Sequence, residues 1–269
     1  KLGKTEDYRF FMKRALSYKN LIDPETKYMR GRDSQGNWRT PFSPIAYQGP
    51  GSVHGWGDIT EGFTLQYTWY VPHDIKGLIK LIGKEKALER LSDGFEKSRK
   101  HNFAAHVFDR TMGQSAEFYI NQGNEVNMNS AFIFNYLDKP SLCQNYTREI
   151  LDRFYGDSPY KGWEGDEDEG QMGGWFVMSA MGLFEMDGGV TADSELDITS
   201  PLFNKITIAL DSRYYPGKEF VIEAVNNSPE NRYIRSARLN GKLLKNFRIP
   251  FSALVNGGRL ELEMGNEPL

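Results

Sequence analysis

Three short segments concentrate carboxylates where helices are expected to begin. In "GWEGDEDEGQMGGWFVMSAMGLF" (Gly162 to Phe184) four acids in a row, Asp166, Glu167, Asp168 and Glu169, run between glycines into an apolar helix. A solvated acidic loop is the usual meaning of such a run. The helix that follows is apolar on nearly every side, however, and is expected to be buried, which puts the charge where helix ends meet. In an extended turn Asp166 and Asp168 point one way and Glu167 and Glu169 the other. The run is no EF-hand, because Gly170 falls one place early and a long apolar helix follows. In "GWGDITEGFTLQYTWYVPHD", Glu61 is expected at a helix start, with Trp56 before it and Phe63, Tyr67, Trp69 and Tyr70 after it. Two readings stand side by side. One is a first-turn acid complementing the helix dipole; the other is a carboxyl desolvated by aromatics, with its pKa raised as a general acid requires. In "YINQGNEVNMNSAFIFNY", Glu125 follows Gly123 and Asn124 and precedes Asn127 and Asn129. These are hard oxygen ligands at close spacing, suited to calcium or to sugar hydroxyls, or else a plain capping arrangement.

The elements that must position these residues fall into two kinds. Helical periodicity predicts Thr5–Leu21, Glu61–Tyr70, Ile75–Leu81, Lys84–Ser98, Glu125–Leu137, Pro140–Tyr155 and Gln171–Phe184. Thr60 and Asp74 are placed to cap their helices, and Pro140 suits a first turn. Long polar loops separate them, notably "GRDSQGNWRTPFSPIAYQGPGSVHGWGD", and ordered loops of that length usually carry function. After Phe184 the pattern turns to short alternating strands, "ELDITS", "KITIAL", "EFVIEAV", "YIRSARL", "KLLKNFRI" and "RLELEM", with Asn240-Gly241 as a hairpin signal. The fold class is therefore mainly α with a C-terminal β part, a small antiparallel sheet or sandwich. The division expected is residues 1–190 for the helices and 191–269 for the β region.

Composition removes several functions. A formal net charge of −3 over 269 residues, with no basic patch, excludes nucleic acid as the expected partner. The one cysteine, Cys143, excludes a disulfide framework and a cysteine zinc cluster; its helical setting predicts a buried, inert thiol. No apolar run approaches the length of a membrane span. The amino-terminal segment lacks the apolar core of a signal peptide and opens inside a helix, as a piece of a longer protein would. Tyr, Phe and Trp beside Gly, Asn and acids suit a sugar-binding groove as well as an ordinary core. The sequons at Asn145 and Asn226 are short enough to arise by chance.

The runs "YKNLIDPETKYMRGRDSQGNW", "EGFTLQYTWYVPHD", "GNEVNMNSAFIFNYLDKP", "GDEDEGQMGGWFVMSAMGLF", "SPLFNKITI" and "NNSPENRYIRSARLNG" occur in this order, and the pattern resembles the glycoside hydrolase family 92 α-mannosidases. Any one alone is weak; together and in order they are specific. The resemblance implies an N-terminal β-sandwich, an (α/α)6 barrel and trailing β-structure. The helices predicted here are too few to close such a barrel, so the chain looks like the C-terminal portion: a partial (α/α)6 barrel and the β region after it. The sandwich and early barrel helices of the same parent would be its partners.

What the resemblance further implies is calcium-dependent, exo-acting hydrolysis of terminal α-mannosides with inversion, on α-1,2 or related linkages. It also implies a periplasmic or extracellular location. By motif, Glu61 resembles the general acid and Asp168 the general base, with Asp166 as partner or alternative. Glu125 resembles a residue lining the sugar and calcium site. Trp56, Asn124 and Asn129 join Glu125 as expected substrate contacts, and Glu125 and Asn129 as expected calcium ligands. Inversion needs a protonated carboxyl and a carboxylate holding water on opposite faces, roughly 6.5–9.5 Å apart. The chain departs from the family in reading "VNMNS" after "GNE" in place of Pro and His, and "EGFTLQYTW" for the commoner "EGNAWQYTW"; neither change touches a proposed carboxylate. Two other classes remain open: a calcium-dependent lectin-like protein without turnover, and a different (α/α)6 hydrolase or phosphorylase.

Overall fold

Helices whose apolar residues recur at three and four pack first, and short strands close the chain. A computed structural model describes residues 2–46, 58–59, 62–104, 119–160, 162–165, 167–192 and 194–269. The helices are α1 (Thr5–Ala15), α2 (Thr64–Tyr67), α3 (Ile75–Ile82), α4 (Lys84–Arg99), α5 (Glu125–Met128), α6 (Ile133–Tyr136), α7 (Pro140–Arg153) and α8 (Gln171–Ala180). The Asp74 carboxylate accepts from the Gly77 N–H at 2.9 Å and so caps α3 as expected. Pro140 opens α7, where its missing N–H costs nothing.

Several boundaries differ from the periodic pattern. The first helix tightens to a 3-10 turn over Leu16–Leu21. The segment expected as one helix from Glu125 to Leu137 is α5, a 3-10 turn at Ser130–Phe132, and α6. The helix expected from Glu61 begins only at Thr64, because Gly62 has φ +71° and Phe63 is extended. The Phe63 N–H instead donates to Gln66 Oε1 at 3.0 Å, which closes the helix start. Helix α8 stops at Ala180. It is less enclosed than its composition predicts: Met172, Trp175, Ser179 and Ala180 are buried, but Val177 is 55% exposed.

Gly182 is the reason α8 does not reach Phe184. It takes φ +79°, and a Cβ there would lie 2.9 Å from the Thr199 carbonyl oxygen. The chain reverses and Leu183–Glu185 becomes strand β1. Gly182→Ala combines a left-handed penalty of about 1–2 kcal/mol with overpacking of similar size. Urea unfolding is expected to show a loss of about 3 kcal/mol. Gly188→Ala, also at positive φ but in open space, should lose only the first part; equal losses would contradict this account.

The remaining strands are β2 (Glu195–Ile198), β3 (Lys205–Ala209), β4 (Glu219–Val225), β5 (Tyr233–Leu239), β6 (Lys242–Leu243), β7 (Arg248–Pro250) and β8 (Gly258–Gly265), with α9 (Phe251–Val255) before the last. They form two sheets, β1-β2-β7 and β3-β4-β8-β5-β6. Two strand expectations are revised. "KLLKNFRI" splits into β6 and β7, which lie in different sheets. The larger sheet is mixed, because β4 and β8 pair in parallel from Phe220 opposite Gly258 to Val225 opposite Glu263. Alternation marks a strand but carries no direction; the crossover through β7 and α9 decides it. The Asn240-Gly241 turn is as expected, with both residues at positive φ.

Two apolar clusters result. One gathers Leu78, Leu91, Phe95, Phe132, Phe134, Tyr146 and Trp175 among the helices; the other gathers Ile198, Phe220, Ile222, Ile249, Leu260 and Leu262 between the sheets. Helix α7 joins them through polar groups. Gln144 Oε1 accepts from the Ile234 N–H at 2.9 Å. The buried Arg148 donates to Pro201 O, to Asn227 Oδ1 at 3.1 Å and to Ser228 O at 3.2 Å. Burial pulls the Arg148 guanidinium pKa down, and these acceptors take up its two terminal nitrogens. The Asn227-Ser228 part of "NNSPENRYIRSARLNG" is thus a docking element. Cys143 is fully buried and burial pushes its thiol pKa well up, as an inert thiol requires.

Candidate active site

The helix starts that carry the acids are brought together by amides and backbone. Around Glu125, each neighbouring amide has a structural task. Asn124 Oδ1 accepts from the Val126 N–H at 3.3 Å and caps α5. Asn127 Oδ1 accepts from the Asn121 N–H at 2.8 Å, and its amide donates to Gln66 O at 3.5 Å. Asn129 Nδ2 donates to Trp69 O at 3.1 Å. Asn127 and Asn129 therefore fasten α5 to the segment that follows Glu61. From the other side, Trp175 Nε1 on α8 donates to Met128 O at 2.8 Å.

The two acid-bearing turns also touch directly. A Cβ on Gly123 would lie 2.9 Å from the Glu164 carbonyl oxygen, and one on Gly165 would lie 3.2 Å from Gly123 O. Only bare backbone fits this crossing, which explains both glycines and brings the turn before Glu125 against the turn before the acidic run.

Within the run the described acids differ in setting. Glu167 Oε1 accepts from the Gly173 N–H at 3.1 Å, in the first turn of α8; there the exposed N–H groups and the helix dipole favour a negative charge. Glu169 is exposed, while Asp168 is half-buried. The turn is not extended as the sequence predicts: Asp168, Glu169 and Gly170 have φ +51°, +59° and +92°. Two successive non-glycine residues in the left-handed region cost of order 1 kcal/mol each, and such strain recurs at functional sites. The Asp168 carbonyl accepts from the Gln171 N–H at 3.1 Å, joining the turn to α8. Glu61, Asp166 and Trp56, like the expected cap Thr60, lie outside the described residues.

Tyr155 is a part of this end that motif reading missed. The Tyr155 hydroxyl donates to Met172 O at 3.0 Å. Burial above all, with the nearby Glu167 charge, raises its pKa. Tyr155 ends the "REILDRFY" pattern as an ordinary apolar position, so its sequence carries no sign of this contact. For a cation, Asn129 Oδ1 is the relevant atom: it is buried and has no hydrogen-bond partner among the described residues, and Glu125 is a half-buried carboxylate one turn earlier. Among the described residues no group of three or more His, Cys, Asp or Glu side chains is arranged to hold a metal.

Residues 1–266 match the glycosyl hydrolase family 92 catalytic domain. The chain belongs to this family. Its fold is similar to that of a family GH92 α-mannosidase from Bacteroides thetaiotaomicron in complex with mannoimidazole, with TM-score 0.87 and 42% identity, covering 100% of this chain and 34% of that one. A family GH92 inverting mannosidase from Bacteroides thetaiotaomicron VPI-5482 matches with TM-score 0.81 and 32% identity, over 99% of this chain and 35% of that one. A protein of Arthroderma benhamiae described as an uncharacterized secreted glycosidase is 26% identical, over 98% of this chain and 33% of its own length. The chain thus spans about a third of the GH92 relatives it matches.

Proposed function

We propose that this GH92 chain is part of an exo-acting α-mannosidase that hydrolyses terminal α-linked mannose from glycans with inversion, on α-1,2 or related linkages. The observation that supports the reading is the close backbone contact of Gly123 with Glu164 and Gly165, in the two turns that lead to Glu125 and to Asp168. The α-mannosidases among its structural relatives support the substrate class.

In this reading Glu61 is the general acid that protonates the leaving oxygen. Asp168 is the base that holds and deprotonates the attacking water, with Asp166 its partner or alternative. Trp56, Asn124, Glu125 and Asn129 belong to the sugar site. Calcium fits the residues present as far as they are described: Glu125 and Asn129 would hold it, and the unpaired Asn129 Oδ1 is an oxygen a hard cation uses. When bound, the ion would grip vicinal hydroxyls and offset the clustered negative charge. Glu167, through its bond to α8, holds the turn that aims Asp168.

The helices are then the later part of an (α/α)6 barrel, residues 1–190, followed by a C-terminal β region, residues 191–269. An N-terminal β-sandwich and the early barrel helices of the same parent complete the site. Among the described residues no helix is long and apolar enough to cross a membrane. The secreted relative supports a periplasmic or extracellular location.

The test is mannose release from a panel of α-mannobioses by the complete protein, with and without a calcium chelator, beside Glu61→Gln. The expected result is release that needs calcium and falls by about 10²–10⁴ in the variant, the range for a lost general acid. Mannose binding without release from any linkage would favour a lectin-like protein, and phosphate-dependent turnover a phosphorylase.

A further inference from the structure

Trp163 sits on the acid loop, and the proposed chemistry gives it no task. It immediately precedes Glu164, whose carbonyl lies against Gly123, so the contact that joins the two acid turns also fixes its position. Its indole packs on Tyr155 with ring centroids 6.4 Å apart and planes at 60°. Tyr155 stacks in turn on Trp175 at 5.7 Å and 7°. The column is tied to α5 through Trp175 Nε1 and to α8 through the Tyr155 hydroxyl. The indole meets Tyr155 edge-on and remains 37% exposed. Tyr160, three residues earlier, is 98% exposed on a loop closed by the Gly156 N–H donating to Gly162 O at 2.7 Å.

A large aromatic side chain partly in water and packed against a stacked pair is suited to binding. Little side-chain entropy is lost when a ligand settles on it, and its apolar surface accepts the C–H face of a pyranose while the hydroxyls stay hydrated. In an exo-acting site only the terminal sugar enters the pocket. The rest of the glycan leaves across the mouth, so an exposed side chain on the acid loop meets that part. The adjacent carboxylates disfavour an anionic sugar there.

We propose that Trp163 is the platform for the neutral sugar next to the terminal mannose, with Tyr160 as a second face on the preceding loop. It then sets the preference for longer glycans. This rests on the mannosidase reading above.

The test compares the complete protein with Trp163→Ala and Trp163→Phe on α-mannosyl fluoride, which has no second sugar, and on an α-mannotriose. The ratio of kcat/KM, trisaccharide to fluoride, is expected to fall about tenfold in Trp163→Ala, chiefly through KM. Trp163→Phe, which keeps the packing on Tyr155, should recover much of it. An unchanged ratio, or parallel loss on both substrates, would overturn the proposal. Should the wild type cleave neither, the mannosidase reading fails on its own, and calorimetry decides the platform. Mannotriose binding tighter than mannose in the wild type but not in Trp163→Ala would sustain it; no such difference would end it.

Discussion

Replacing Asp168 by Asn is expected to lower kcat for mannose release by about 10²–10⁴-fold, which is roughly 3–5 kcal/mol of transition-state stabilisation. The substitution is a clean test because of the backbone. Asp168 has φ +51°, and Asn is one of the few non-glycine residues at home there. The turn and its carbonyl bond to Gln171 therefore survive, and only the carboxylate is lost. A structural role would give another pattern: reduced thermal stability with kcat nearly kept. Glu167→Gln should show that pattern, since Gln retains an acceptor for the Gly173 N–H but loses the charge at the start of α8. Should Asp168→Asn keep more than a tenth of kcat while Asp166→Asn loses it, the base is Asp166 instead.

The second large effect concerns stability against pH. Asp197 on β2 is fully buried and accepts from Asn135 Nδ2 at 3.0 Å and from the Tyr136 hydroxyl at 3.1 Å, both on α6. Arg248 lies opposite it in register on β7, 4.5 Å over the Tyr136 ring and 4.0 Å from the Glu195 carboxylate. Burial pushes the Asp197 pKa from 3.8 up to about 7, and the hydrogen bonds and Arg248 only partly offset it. Between these two values the native state keeps a proton that the unfolded chain has released. The unfolded state then binds fewer protons, so stability falls as pH rises through this window. The contribution lost between pH 5 and 8 is about 2–3 kcal/mol. Asp197→Asn, neutral throughout, is expected to remove that part of the slope. Urea midpoints of the two proteins at pH 5, 6, 7 and 8 measure it. Parallel profiles would show that Asp197 is ionised in the native state across the range.

The two tests probe different ends of the same architecture, because the polar seam under α7 and around Asp197 binds the helices to the sheets. The crossing at Gly123 and Gly165 binds the acid turns to each other. The acidic run leads into α8 and is joined to it through Glu167 and the Asp168 carbonyl. That helix is half-exposed, with Val177 facing outward.

What the sequence determined by itself was local or combinatorial. Helical periodicity located α3, α4 and α7 to within a residue or two, because one apolar stripe per helix faces one core. Asp74, Pro140 and Asn240-Gly241 declared their caps and turn, since these depend only on neighbouring backbone. The ordered motifs were enough to identify the family. Only the tertiary structure decided where α8 stops, because Gly182 is fixed by the Thr199 carbonyl, a partner far along the chain. It also decided that β8 runs parallel to β4, because alternation reports burial on a face and not strand direction. In the acidic run the residue types could not say that Glu167 serves α8 or that the turn is left-handed. Those features follow from the Glu167 bond to the Gly173 N–H and from three successive positive φ angles, neither of which leaves a periodic trace in the residue order.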